Sequence, residues 1–123
     1  MSMNTTVLNV RVLGYGEAKL AIDNDKGFFI VSEFRKKNTI YGIAMLYKNV
    51  VNISINIKKG IRGIPGVFKR GSVLYSPIYD SLAIVLNDFE SREHNYIEVG
   101  YVEEGIETFE KIRGVVKLRI SLP

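Results

Sequence analysis

Apolar and polar residues alternate with a period of two in four segments of the chain. This period is that of a β-strand with one face in a core and the other in water. Each of the four segments therefore predicts a half-buried strand. Their apolar positions are Leu8, Val10 and Val12; Ala18, Leu20 and Ile22; Val51, Ile53, Ile55 and Ile57; and Val116, Leu118 and Ile120.

Four further segments have weaker strand patterns that are rich in β-branched and aromatic residues, which favour a pleated sheet. They cover residues 41–47, 72–76, 81–86 and 96–102. A Gly-Tyr-Gly turn at residues 14–16 predicts a hairpin between the first two strands. Together these patterns predict eight strands.

Two segments depart from the strand period. Ile106, Phe109 and Ile112 are three residues apart and Gly114 follows them, so a short amphipathic helix is predicted within residues 105–113.

Residues 25–37 fit two interpretations. Phe28, Val31 and Phe34 match a helical stripe, whereas residues 28–31 alone match a short strand. The sequence leaves both open.

Residues 58–71 contain many glycines and charges and have no apolar period, which predicts a long loop. Loops of this length inside compact domains are often functional. The cations of this loop are candidates for contacts with phosphate groups. They are Lys58, Lys59, Arg62, Lys69 and Arg70.

Composition supports one mainly β domain over residues 1–123, because the chain contains 15 Ile and 13 Val. It contains no cysteine, which excludes disulfides, thiolate catalysis and cysteine-ligated metals. No apolar run is long enough for a membrane helix and no signal-peptide pattern is visible, so we expect a cytoplasmic protein with no membrane partner. Gln and Trp are also absent while Ile, Lys and Glu are plentiful, a bias that indicates a thermophilic source.

Charge is distributed unevenly along the chain. Residues 26–72 hold ten Lys and Arg and one acidic residue, whereas the remainder holds seven Lys and Arg and twelve acidic residues. Such a basic half can attract an anionic partner such as RNA. A solvated surface explains the same pattern and is the favoured interpretation.

No residue pattern predicts catalysis, a metal or a cofactor. His94 is the single histidine and lies in a polar turn, where an exposed histidine without a catalytic role is expected. The acidic pairs fit turns and helix ends rather than paired catalytic carboxylates. These pairs are Asp23 and Asp25, Glu103 and Glu104, and Glu107 and Glu110.

The order of the predicted elements resembles that of the cyclophilin fold, with one helix after the second strand and another before the eighth. Short blocks agree with that order: Asp25-Lys26 followed by residues 32–35, residues 71–76 with 81–85, and residues 99–106. They are similar to the first helix, the strand pair after the Gly-rich loop, and the Phe-Gly-x-Val-x-x-Gly block of cyclophilins. The resemblance implies a closed eight-stranded cyclophilin-like barrel with two short capping helices, similar to small microbial cyclophilin-like domains of undefined function.

The same resemblance implies that standard prolyl isomerase activity is absent. Cyclophilins use an arginine on their third strand, but no arginine occurs here between Arg35 and Arg62. No glutamine exists for the Gln-Gly-Gly-Asp segment, and Ile84 stands where cyclophilins have a pocket aromatic. A residual isomerase that uses Arg62 or Arg70 as a substitute donor is an alternative.

In the resembling fold, the proline turn at residues 75–80 overlooks a ligand groove beside strands three, five and six. We therefore expect a groove that binds an unknown peptide or small molecule, although the same side chains would also suit a barrel core. Anion or RNA binding by residues 26–72 is a further alternative. The candidate groove residues are Tyr41, Met45, Tyr47, Tyr75, Pro77, Tyr79 and Ile84.

Overall fold

Ten strands and two helices make up the computed structural model, which describes residues 4–123. In chain order they are β1 (Thr5–Val12), β2 (Gly16–Asp23), α1 (Phe28–Lys37), β3 (Thr39–Tyr47), β4 (Val50–Ser54), β5 (Gly66–Phe68), β6 (Ser72–Ser76), β7 (Ser81–Val85), β8 (Phe89–Ser91), β9 (Ile97–Glu104), α2 (Ile106–Glu110) and β10 (Val115–Ser121). Eight strands close an antiparallel barrel in the order β1-β10-β3-β4-β7-β6-β9-β2, and β5 pairs with β8 in a separate ribbon. The predicted closed eight-stranded barrel with two short helices is confirmed.

The segment with two interpretations is a helix, so the alternative of a strand at residues 28–31 is wrong. Phe29, Ile30, Val31 and Phe34 turn one face of α1 into the core. Phe28 was expected on this face, but its side chain is 58% exposed. The buried stripe therefore begins one residue later than the sequence suggested.

The main differences from the sequence prediction are the ends of β4 and α2 and the presence of the β5–β8 ribbon. β4 ends at Ser54 because Asp80, rather than a neighbouring strand, accepts the backbone N–H groups of Ile55 and Ile57. The segments that form the ribbon were not predicted, since three-residue strands are too short to show a period. α2 ends at Glu110, although Ile112 remains buried in the core.

The main core fills the barrel with every second side chain of its strands, as the alternating segments predict. Leu8 and Val10 of β1, Leu20 of β2 and Ile53 of β4 are all at most 1% exposed. Burial of one such side chain stabilises the fold by about 1.5–3 kcal/mol. α1 and α2 contribute further buried residues to this same cluster, including Phe34.

A second, smaller core lies on the outside of the barrel under the β5–β8 ribbon. Side chains from β4, β6 and β7 that point outward pack there against aromatic residues. The ring centroids of Phe68, Phe89 and Tyr96 lie 5.5 to 5.9 Å from each other. The ribbon thus covers the outer face of β4, β7 and β6, and the outer side chains beneath it are Val50, Leu74, Ala83 and Val85.

Gly100 allows β9 to approach β2 closely enough to close the barrel. A Cβ atom at this position would lie 2.1 Å from the carbonyl oxygen of Ala21 and 3.0 Å from the Cα of Ile22. Both are backbone atoms, so they cannot move aside without shifting β2. The β2–β9 ladder therefore requires glycine here.

A hydrogen-bonded group around Asp80 anchors the start of the long loop. Its Oδ1 atom accepts the Tyr75 hydroxyl at 2.8 Å and the backbone N–H of Lys58 at 2.8 Å. The Tyr75 hydroxyl in turn accepts the backbone N–H of Lys59 at 3.1 Å. Burial raises the pKa of Tyr75 to about 12, so its phenol keeps the donated proton at neutral pH.

Replacement of Tyr75 by phenylalanine is expected to lower the free energy of unfolding by about 1–2 kcal/mol, because Lys59 and Asp80 each lose a partner. Urea unfolding followed by circular dichroism measures the change. Tyr101→Phe is the control, since the Tyr101 side chain is exposed. Equal midpoints for the two variants would show that the hydroxyl contributes nothing.

The stability difference between wild type and Tyr75→Phe is also expected to depend on pH. The folded pKa of Tyr75 is raised from 10.0 to about 12, so its contribution is complete below pH 10 and is lost as the pH rises through 12. When unfolding is measured across this pH interval, the difference in free energy of unfolding between wild type and Tyr75→Phe should therefore decrease. A constant difference would contradict the assignment.

Gly100→Ala is expected to lower the free energy of unfolding by about 1–3 kcal/mol, because the new methyl group collides with the β2 backbone. Gly60→Ala is the matched control, since a Cβ there meets no atom within 4 Å. Thermal unfolding compares the two variants. Equal melting temperatures would mean that the strands can separate without cost.

Candidate functional site

The outer face of β3 exposes a strip of large apolar side chains. Tyr41, Ile43, Met45 and Tyr47 are 76%, 49%, 47% and 55% exposed, and we call these four residues the β3 strip. Of the residues that alternate with them, Ile40 and Ala44 belong to the barrel core and are buried. The alternation that builds the core thus also aligns four apolar side chains in water.

The β3 strip is accessible only through its side chains. β3 pairs with β10 on one side and with β4 on the other, so its backbone is already hydrogen-bonded. A ligand cannot add a strand here, as extended peptides do at sheet edges. Four alternate residues span about 20 Å along the strand.

One end of the strip forms the wall of a groove of about 480 Å³ between β3, β10 and the end of β1. This volume lies within the range of small-molecule sites, which is about 300–1,000 Å³. The exposed side chains of Leu13, Tyr41 and Ile43 make much of the lining apolar. We call it the β3 groove, and its residues are Arg11, Leu13, Tyr41, Gly42, Ile43, Lys117, Leu118 and Arg119.

Three cations surround the apolar lining of the β3 groove. Arg11 and Arg119 are directly opposite each other in the β1–β10 ladder, and Lys117 is opposite Ile43 in the β10–β3 ladder. Across the part of the chain that the structure describes, none of the three makes an ion pair. Glu17 is the nearest acid in register, opposite Arg11 on β2. The groove therefore combines an apolar surface with three cations, of which Arg11 alone has an acid, Glu17, as its neighbour in register.

The structure separates the predicted groove residues into three sets. Tyr41, Met45 and Tyr47 lie together in the β3 strip. Tyr75 and Ile84 are 0% exposed and belong to the barrel core, so neither lines a surface groove. Alternate side chains of a strand point to opposite faces, and on β6 and β7 these two positions point into the barrel. The side chains that point outward from β6 and β7 lie under the ribbon.

The other two predicted groove residues lie in the β6–β7 turn. Pro77 is partly buried and Tyr79 is exposed. Burial raises the pKa of Tyr96, and the nearby phenols of Tyr79 and Tyr47 raise it further. Tyr79 is thus near the ribbon rather than in the β3 groove.

Two cations of the predicted basic loop already have partners. Lys69 lies 3.6 Å from a carboxylate oxygen of Asp88, and Arg70 donates to Glu110 at 2.8 Å. The hydrogen bond from Arg70 holds the pKa of Glu110 below its usual value. These contacts anchor the end of the loop to the barrel and to α2.

The remaining cations of the basic loop are less engaged. Lys58 and Lys59 donate backbone N–H groups to Asp80 and Tyr75, while the Lys59 ammonium lies 5.7 Å from the Phe28 ring centre. Arg62 is exposed. The structure therefore does not gather the five predicted cations into one unpaired cluster.

Neither a metal centre nor a histidine site is found in the described residues. No cluster of three or more His, Asp or Glu side chains within residues 4–123 could hold a metal ion. His94 is exposed, and its Nδ1 lies 3.0 Å from the carbonyl oxygen of Gly63. Over the same residues no helix is long and apolar enough to cross a membrane. The cytoplasmic location stays a prediction.

Sequence reasoning missed most of the β3 groove. Arg11, Leu13, Lys117 and Arg119 lie on the outer faces of the first and last strands, and only the ladder register brings them together. Ile43 was within a predicted strand but not among the candidate residues. The available signal was the alternation itself, which placed Arg11 and Arg119 outward.

Comparison with known proteins supports the fold and assigns no activity. No protein-family model matches the chain, and no curated protein matches it in sequence. The solution structure of the hypothetical protein AF2241 from Archaeoglobus fulgidus is similar, with a TM-score of 0.78 and 9% sequence identity over 100% of both chains. At this identity the similarity shows a shared fold alone. The chain is thus a barrel protein similar in architecture to an archaeal protein that is itself described only as hypothetical.

Proposed function

We propose that this protein is a cyclophilin-like barrel that binds a peptide segment or small ligand in the β3 groove without standard prolyl isomerase catalysis. The observation that carries the proposal is the groove itself, which offers about 480 Å³ beside exposed apolar side chains. Exposed apolar surface of this kind is characteristic of binding sites. The proposed binding surface includes Tyr41 of the candidate residues, and its other members come from β3, β10 and the end of β1 rather than from β6 and β7.

Of the two ligand classes, a small ligand suits the groove better. A bound peptide would have to rely on side-chain contacts, because both neighbours of β3 occupy its backbone hydrogen bonds. The main-chain pairing that gives many peptide complexes their affinity is absent from such a surface. A small apolar body needs no such pairing.

The cyclophilin-like assignment rests on element order. α1 follows β2, α2 precedes β10, and the last strand pairs with the first. The proposal that standard isomerase activity is absent rests on the third strand, because β3 carries no arginine. Catalysis of this reaction must lower a barrier of about 18–20 kcal/mol and needs a positioned donor.

Anion or RNA binding through residues 26–72 has weaker support. Lys36 and Lys37 lie 3.9 and 3.3 Å from carboxylate oxygens of Glu33, and Lys69 and Arg70 are also ion-paired. Phosphate contacts would have to compete with these acidic partners. Nucleic acid therefore remains a prediction that we do not favour.

The neutral fluorescent probe N-phenyl-1-naphthylamine is expected to bind the native protein and to gain fluorescence. Ile43→Ser should weaken its binding about tenfold, since the apolar wall of the groove is lost. A fluorescence titration measures both affinities.

Val67→Ser is the matched control for Ile43→Ser, because Val67 is a β-branched apolar residue on the ribbon that is at least as exposed as Ile43. It should leave probe affinity unchanged. The proposal is wrong if the probe does not bind, or if both variants weaken it equally.

Isomerisation of a proline-containing peptide is expected to proceed at its uncatalysed rate, with a time constant of tens to hundreds of seconds at 25 °C. A protease-coupled assay with wild type tests this. If a faster rate appears, the alternative of a residual isomerase is supported, and its loss in Arg62→Ala or Arg70→Ala would identify the substitute donor.

A further inference from the structure

We infer that the ligand of the β3 groove is a small amphiphilic anion, with an oxyanion bound between Arg11 and Arg119 and an apolar body against Tyr41 and Ile43. This inference rests on the proposed function and names the chemical class of its ligand. A carboxylate on an aromatic or aliphatic body is the simplest member of that class.

The opposed arginines are the first argument. Residues directly opposite in an antiparallel ladder have Cα atoms about 4.5–5.5 Å apart, so the two outward guanidinium groups share one region of the surface. Like charges at such positions destabilise a sheet. An oxyanion between them would relieve this repulsion, and arginine provides the geometry for bidentate contacts.

The position of the apolar residues is the second argument. Arg119 is opposite Tyr41 and Lys117 is opposite Ile43, so both β3 side chains of the groove have a cation as their neighbour on β10. Leu13 closes the other side. A ligand that places its charged group at Arg119 therefore lies over Tyr41 and Ile43 with its apolar part.

Charge also decides against a second copy of this chain as the occupant. A two-fold dimer places the same surface patch of each subunit against the other. The lining of the β3 groove contains Arg11, Lys117 and Arg119 and no acidic residue, so two such patches would bring positive charge against positive charge. A negatively charged small molecule is instead attracted to the positive charge of the groove.

A pair of matched probes tests the inference, with 4-phenylbutyrate as the anion and 4-phenylbutanamide as its neutral counterpart. Titrations followed by ¹H–¹⁵N NMR at low salt should show shifts at Leu13, Tyr41 and Ile43 for both compounds. The carboxylate should bind about tenfold tighter than the amide, because it gains charge-assisted hydrogen bonds.

The variant Arg119→Gln should lower the affinity for 4-phenylbutyrate about tenfold, to that of the amide, and leave amide binding unchanged. Arg62→Gln removes the same charge from the exposed loop and is the matched control, with no change expected. Equal affinities of the two probes for wild type would overturn the inference while the proposed function stands. Absence of binding, or shifts confined to other residues, would overturn both.

Thermal stability gives a second readout that needs no ligand. Arg119→Gln should melt at the same temperature as wild type or higher in low salt, because the repulsion between Arg11 and Arg119 is removed. A clearly lower melting temperature would mean that Arg11 and Arg119 do not repel each other in the folded protein, which contradicts the first argument for an oxyanion site.

Discussion

Closure of the hydrogen-bond ladder around the barrel determines almost everything else in this structure. Every barrel strand has two partners, so the sheet closes and has an inside and an outside. Because side chains alternate along a strand, each one points either into the core or to the outer surface. The inward set consists of aliphatic residues and Tyr75, and α1 and α2 complete the core. What remains outside is determined by register, and register places the cations of β1 and β10 beside the apolar residues of β3.

The outer surface divides into a covered and an open part. Over β4, β7 and β6 the ribbon buries the outward apolar side chains under Phe68, Phe89 and Tyr96. No comparable element covers β3 within the described residues, and its outward apolar side chains stay in water. Asp80 and Tyr75 accept the backbone N–H groups of Lys58 and Lys59, and these hydrogen bonds hold the start of the long loop that leads to the ribbon.

The sequence predicted the barrel because period-two alternation is strong in strands such as the one that contains Leu8 and Val10. It predicted the site poorly because alternation does not show which face of a weak strand is buried. Tyr75 and Tyr41 belong to similar patterns, yet one is core and the other is solvent-exposed. Neighbours such as Arg11 and Arg119 depend on pairing between distant strands, which composition and local spacing do not contain.

The pairing of the first strand with the last has a consequence for when the groove exists. β10 supplies Lys117 and Arg119 and also bridges β1 to β3, so the groove is assembled only when this final strand docks. Contacts between such distant segments form slowly, because the chain must first pay the entropy of closing a large loop. A molecule that occupies the groove would bind the closed chain alone, and by mass action it would hold the last strand in place.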